Sequence, residues 1–230
     1  MVSTRSSSSR ADDAKTPSPT ASSTQLSRGG ASSSTAPKNG SSSSSSKTWH
    51  HVPDNLTLIW LAVSLPLVTW DTLYIFGRPA TMPGGSLHWP LWSPYALYGE
   101  VDHVYGWEAF NSQDGFTAAQ GFLNIVETAM YLYYLVSVYG RGGWKVEGEA
   151  AARTVLIGFA AAVMTLSKTA LYWLQEYFGN YSHIGHNTAA DIILLWVIPN
   201  GAWLIGPSYM IRSFARDVIR GITAQDTKAE

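Results

Sequence analysis

The chain has 230 residues, a formal net charge of -1 and a mean hydropathy of -0.01. A net charge near zero gives no indication of nucleic-acid binding, and the sequence shows no stripe of basic residues with interleaved aromatic residues. The sequence contains no Cys, which excludes disulfides, thiolate metal sites and cysteine nucleophiles. The average hydropathy hides a sharp division, because all ten Trp and all twelve Tyr lie at or after Trp49.

Residues 1–46 form the first predicted element, a disordered cytosolic tail. Ser, Thr, Ala, Gly and Pro dominate this segment, which has almost no large apolar side chains. It cannot bury enough apolar surface to offset the entropy lost on ordering. It also lacks the apolar core of a signal peptide, so we expect no cleaved leader.

Four long apolar segments follow, each close to the ~20 residues that a transmembrane helix needs. They cover residues 56–76, 117–139, 154–177 and 189–211. We therefore predict an all-α fold: an integral membrane four-helix bundle within residues 55–215, followed by a cytosolic C-terminal tail at 216–230. A soluble helical bundle is the alternative, but it would need polar helix faces that these segments lack.

The distribution of charge predicts the orientation of the spans. Basic residues lie between spans two and three and after span four, whereas the loop at residues 77–116 is acidic. Both termini should therefore be cytosolic, with loops 77–116 and 178–188 on the lumenal side. The aromatic residues of the long first loop suit a membrane interface. Its length predicts a lid over a cavity.

Each predicted span carries polar side chains on one face, at intervals that helical geometry brings into line. These polar seams consist of Ser64 and Asp71 in span one; Gln120, Asn124, Glu127, Tyr131 and Tyr134 in span two; Thr165, Lys168, Tyr172 and Glu176 in span three; and Asn200 and Trp203 in span four. Ionisable groups are costly in hydrocarbon, so we interpret the seams as the lining of an enclosed binding pocket. The alternative, hydrogen bonding that only joins the helices, stays open for each single residue.

Two smaller patterns qualify this interpretation. Pro199 directly precedes Asn200, and we expect a kink there that helps to present the Asn200 amide. His183 and His186 lie three residues apart and could begin a metal site, but no acid stands at a matching spacing. We predict neither a metal nor a cofactor.

Residues 55–215 resemble the EXPERA domain, a family of endoplasmic reticulum membrane proteins that includes the emopamil-binding sterol isomerase and the sigma-2 receptor. The resemblance is carried by GFLNIVETAMYLYYL at 121–135, YWLQEY at 172–177, IGH at 184–186 and VIPNGAWLIGP at 197–207. It implies a multi-pass protein of that membrane, with a sterol or another lipid bound between its helices.

The resemblance also implies a chemistry, that of a delta-8/delta-7 sterol isomerase, which moves a ring double bond by protonation and deprotonation. Glu127 and Asp71 would handle the protons, Trp203 would steady the carbocation and Asn200 would orient the proton carrier. The expected ligand-binding residues are Asn124, Tyr131, Lys168, Tyr172 and Glu176.

One departure from the family pattern leaves the function open. The isomerase carries a His and a Glu one helical turn apart in its first span, where this chain has Asp71 and Ile75. An acid at that position of the first span resembles the pattern of the sigma-2 receptor. The alternative to an isomerase is therefore a non-catalytic sterol or lipid receptor, or a trafficking regulator. A scaffold whose tail binds a cytosolic partner is a third hypothesis. Under any of these hypotheses the protein could assemble as a homodimer, and we expect no nucleic acid as a partner.

Overall fold

The computed structural model describes residues 48–140 and 143–226. The predicted tail at 1–46 lies outside the described residues. The described part is mostly helical (74%). Four of its helices are long and apolar enough to cross a membrane, namely Asn55–Gly77, Phe116–Tyr139, Gly148–Phe178 and Ala189–Thr223. The four apolar helices predicted from the sequence are therefore present.

The elements follow one another along the chain in a simple order. They are β1 (His50–His51), α1 (Asn55–Gly77), α2 (Pro94–Val101), a 3-10 turn (His103–Tyr105), α3 (Trp107–Asn111), α4 (Phe116–Tyr139), β2 (Val146–Glu147), α5 (Gly148–Phe178), α6 (Ala189–Asp191), a π-helical segment (Ile192–Val197) and α7 (Ile198–Asp226).

Two helix boundaries differ from the prediction. The third long helix begins at Gly148 rather than at residue 154, and α7 continues to Asp226. Residues 216–226 of the predicted C-terminal tail are thus helical. The helix continues because its next turns still pack, with Phe214 in the core and Val218 against it. A hydropathy window detects only the apolar part of such a helix.

The start of α1 is defined by an N-cap. The Asp54 carboxylate accepts hydrogen bonds from the Thr57 backbone N–H and hydroxyl, both at 2.8 Å. It also accepts bonds from the hydroxyls of Tyr209 (3.0 Å) and Ser213 (2.7 Å) on α7. Burial alone would raise the pKa of Asp54, but these hydrogen bonds lower it. The cap therefore joins the first long helix to the last.

The long helices pack as a ring. α5 lies against both α4 and α7, α4 lies against α1, and a smaller contact between α1 and α7 completes the ring. One end of the ring carries the antiparallel pair β1–β2, with His51 opposite Val146, and we call it the strand end. The main core lies toward this end, around Tyr134, Val155 and Phe214.

The opposite end, which we call the loop end, is formed by the segment between α1 and α4. The segment folds into α2, the 3-10 turn and α3, and it packs on α1 through Tyr74, Ile75, Met82 and Tyr95. The rings of Tyr74 and Tyr95 are stacked, with their centroids 3.7 Å apart. The long loop is thus anchored on the bundle.

Candidate functional site

A cavity of about 460 Å³ lies between the long helices at the loop end. One wall is formed by Tyr95, Tyr98 and Tyr105 of the long loop, as the lid prediction requires. Tyr95 is only 4% exposed, and Tyr98 and Tyr105 are half-buried. The sequence had suggested a membrane interface for them, because composition alone cannot distinguish an aromatic belt from an aromatic wall.

Six of the nine residues predicted for the site line this cavity: Asp71, Asn124, Lys168, Tyr172, Asn200 and Trp203. Glu127 and Tyr131 instead border a second space of about 10 Å³, which Trp203 also touches. Glu176 borders neither space, and its carboxylate accepts a hydrogen bond from the His183 imidazole at 2.7 Å. The polar seams therefore converge, but over two neighbouring spaces.

A chain of hydrogen bonds joins three helices across the cavity wall. Asp71 accepts one bond from the Tyr95 hydroxyl at 2.7 Å and another from the Asn124 side-chain amide at 3.3 Å. The Lys168 ammonium donates to the carbonyl oxygen of the Asn124 amide and to Glu127 Oε2, the latter at 3.0 Å. Lys168 therefore pairs with Glu127, and the Asn124 amide connects this pair to Asp71.

Glu127 is the most deeply placed member of this chain. Only 2% of the residue is exposed, which is consistent with the inward-facing seam predicted for α4. Its Oε1 atom is buried and has no hydrogen-bond partner within the described part of the protein. Lys168, which is part of the cavity wall, contacts Glu127 from the cavity side. In the larger cavity, Glu127 thus acts on a bound molecule through Lys168 or after that pair opens.

Asn200 and Trp203 reach the cavity from the first turns of α7. The Asn200 amide donates to the Trp196 carbonyl at 2.9 Å and to the Tyr98 hydroxyl at 3.4 Å. Pro199 is the second residue of α7 and directly follows the π-helical segment, and the kink expected there stays a prediction. Trp203 meets Trp60 edge to face, with ring centroids 5.4 Å apart. One face of the cavity therefore combines an amide with a fixed aromatic ring.

Asp102 is the main residue that sequence reasoning missed. It is fully buried and accepts hydrogen bonds from Trp196 Nε1 at 2.9 Å, from the Val104 N–H at 3.2 Å and from the Tyr172 hydroxyl. Burial raises the pKa of Asp102 to about 7, although the hydrogen bonds oppose this rise. Because the Tyr172 hydroxyl is engaged by Asp102, Tyr172 can offer the cavity little more than its ring.

The two histidines considered for a metal have separate partners. His183 lies on Glu176, whereas His186 contacts the Glu100 carbonyl at 2.7 Å and stacks on His103. Within residues 48–140 and 143–226, no group of three or more His, Asp or Glu side chains could hold a metal ion.

No family model, no curated protein and no solved structure matches this chain. The resemblance to the EXPERA domain therefore stays a prediction, and the functional argument depends on the geometry of the cavity.

Proposed function

We propose that the protein is a multi-pass protein of the endoplasmic reticulum membrane, an EXPERA-like bundle with both termini cytosolic, that binds a sterol or another lipid between its helices. The observation that carries this proposal is the cavity of about 460 Å³ at the loop end. Its volume falls within the ~300–1,000 Å³ typical of sites for small organic molecules. The tail at 1–46 is proposed to be disordered on its composition.

The outer faces of the long helices support the membrane part of the proposal. Large apolar side chains such as Ile59, Phe122, Leu171 and Ile205 are more than half exposed on the surface of the bundle. A water-soluble protein rarely exposes apolar surface this extensively, whereas a bilayer solvates it well. All four helices are also long enough to span the hydrocarbon core.

The walls of the cavity support a ligand with a large apolar body and few polar groups. Aromatic and aliphatic side chains such as Trp70, Leu97 and Phe116 line the cavity together with residues of the polar seams. A sterol combines a rigid apolar ring system with a single hydroxyl. Binding without chemistry is the function that the geometry supports best, since Asp71 and Glu127 already accept hydrogen bonds from Tyr95 and Lys168.

A sterol isomerase is the second candidate, favoured by one observation. Asp71 and Trp203 line the same cavity. A protonated Asp71 would add its proton to one carbon of the double bond and leave a cation on the other. The Asp71 carboxylate would then take up a proton from the next carbon beyond that cation, which regenerates the acid. The double bond moves by one position, and no atom is gained or lost overall. The Trp203 ring would face the intermediate cation.

Labelling with a photoreactive sterol tests the binding proposal. Leu195 lines the cavity, whereas Leu194 points outward and is 60% exposed. The variant Leu195→Trp should fill part of the cavity and reduce labelling about tenfold, while Leu194→Trp should label like the wild type. Equal labelling of the two variants would place the sterol outside the cavity.

Sterol profiling tests the isomerase. The protein would be produced in a microbial strain that lacks its own sterol isomerase. Formation of the shifted sterol by the wild type, and its loss with Asp71→Asn, would support catalysis. Continued accumulation of the unshifted sterol in the presence of well-folded protein would leave binding as the function.

A further inference from the structure

We propose that Lys168 is a resident cation that determines the chemical class of the ligand: the cavity takes neutral, oxygen-bearing lipids and rejects protonated amines. This inference rests on the proposed lipid-binding function and specifies its ligand.

The first argument is the position of the ammonium. The Lys168 and Glu127 side chains are 10% and 3% exposed, and their Nζ and Oε2 atoms are 3.0 Å apart. Lys168 lines the cavity and Glu127 does not. A cationic ligand that sought Glu127 would therefore meet the like charge of Lys168 first, which is repulsive in a site of low dielectric constant.

The second argument is that both oxygens of Asp71 already accept hydrogen bonds. Asp71 is the only carboxylate among the described residues that lines the cavity. One of its oxygens accepts a hydrogen bond from the Tyr95 hydroxyl, and the other accepts one from the Asn124 side-chain amide. Asn124 is itself held by Lys168 through its amide oxygen. An amine ligand would have to displace one of these donors to reach Asp71.

The third argument is the balance of charge. Asp71 and Glu127 are accompanied by two cations, Lys168 and Arg78. The Arg78 guanidinium lies near the same cavity, donating to the Thr117 hydroxyl at 2.8 Å, and its other hydrogen bonds end on the Ile75 and Val104 carbonyls. The Arg78 guanidinium is close enough to the Asp71 carboxylate for the two opposite charges to attract each other. The two carboxylates of this chain of contacts are therefore matched by two cations before any ligand enters.

The remaining hydrogen-bonding capacity suits an oxygen atom. An ammonium has three N–H donors, and within the described residues Lys168 uses two of them, on Asn124 and Glu127. The Tyr98 hydroxyl accepts from Asn200, so its own proton stays available to a ligand. A hydroxyl or carbonyl oxygen of a neutral lipid can accept a hydrogen bond from either donor, since both residues line the cavity. A carbocation beside the same ammonium would be disfavoured, so the inference also favours binding over isomerisation.

The test compares two photoreactive sterols, one with its native hydroxyl and one with an amine in its place, on the full-length protein in lipid nanodiscs. The wild type should label more strongly with the hydroxyl probe. Lys168→Met keeps the side-chain length and removes the charge, so it should shift the ratio toward the amine by about tenfold or more. Lys145→Met is the matched control, because it breaks an exposed pair with Glu147 and should leave the ratio unchanged.

Two further variants keep the inference testable if Lys168→Met does not fold. Lys168→Arg keeps the charge and should keep the preference for the hydroxyl probe. Glu127→Gln frees the ammonium and should raise labelling by a sterol that carries a carboxylate, again by about tenfold.

The outcomes separate the inference from the function on which it rests. An amine preference in the wild type, or an unchanged ratio in folded Lys168→Met, would overturn the role of Lys168 alone. A wild type that neither probe labels would overturn the proposed lipid binding together with this inference.

Discussion

The two ends of the helical ring differ in how they treat polar groups. At the strand end the imidazole of His51 lies between Asp217 (2.7 Å) and the Tyr134 hydroxyl (2.9 Å), and Phe214 fills the space beside it. At the loop end the polar side chains face a cavity, and the amide oxygen of Gln120 is buried without a partner within the described residues.

This difference indicates a division of labour along the helices. The strand end packs densely, because Gly158 lets Phe214 and Tyr134 approach the α5 backbone, where a Cβ atom would lie 3.0 Å from both rings. Dense packing there holds the helix axes in place. The loop end can therefore stay open without the bundle collapsing on the cavity. Three predictions test this division, from the largest expected effect to the smallest.

Removal of a core ring at the strand end should have the largest effect. Phe214 is 1% exposed, and Phe214→Ala should lower the free energy of unfolding by about 3–5 kcal/mol through lost burial and the cavity left behind. Thermal unfolding in detergent measures this loss. Phe178→Ala is the control, since Phe178 is 78% exposed and should change stability by less than about 0.5 kcal/mol. Similar losses in the two variants would contradict a dense strand end.

The contact between α1 and α7 should be sensitive to a single methyl group. A Cβ atom at Gly206 would lie 2.5 Å from the Trp60 ring, whereas one at Gly201 meets nothing within 4 Å. Gly206→Ala should therefore cost about 1–3 kcal/mol, while Gly201→Ala should stabilise the helix by up to ~1 kcal/mol. Changes of the same sign in a thermal unfolding assay would show that the Trp60 contact does not limit the approach of the two helices.

The two ends should respond to pH in opposite directions. Burial lowers the pKa of His51 against the opposing effect of Asp217, with Asp54 and His50 also nearby, so acidification below about pH 6.5 destabilises the strand end. Burial raises the pKa of Asp102 to about 7 in the presence of Glu176 and His183, so the folded loop end gains its proton first. Stability there rises as the pH falls from about 7 toward ~4.

Single variants should separate the two responses. Acidification from about pH 8 to about pH 5.5 should lower the unfolding temperature of Asp102→Asn and raise that of His51→Gln, each by about 2–4 °C for ~1 kcal/mol. The wild type should lie between them. Parallel curves for the two variants would mean that the titrating groups lie elsewhere.

The sequence predicted much of the fold, because length and hydropathy determine where apolar helices form. It also predicted which face of α4 points inward, since Asn124, Glu127 and Tyr131 follow helical spacing and all three are buried. Helical spacing predicts the face on which a residue lies, but it does not predict how far the side chain extends into the bundle. Glu127 and Lys168 were therefore expected in one pocket, whereas the structure places one behind the other.

Asp102 could not be predicted for a different reason. It lies in the irregular segment between α2 and the 3-10 turn, where no periodicity relates a side chain to the core. Its three donors come from three separate parts of the chain, at Val104, Tyr172 and Trp196. A buried acid of this kind becomes visible only once tertiary contacts are known.

The π-helical segment at Ile192–Val197 has a consequence for chain length. Such a segment acts as an inserted residue within an α-helix, so the residues on its two sides do not share one helical wheel. Deletion of a single residue there would remove the bulge and leave the two flanking helices in nearly the same rotational relation, whereas a deletion in the regular helix on either side would turn one flank by about 100° relative to the other. Trp196 binds Asp102, and Asn200 presents its amide to the cavity. The rotation of one residue relative to the other about the helix axis thus depends on the number of residues in the helix as well as on their identity.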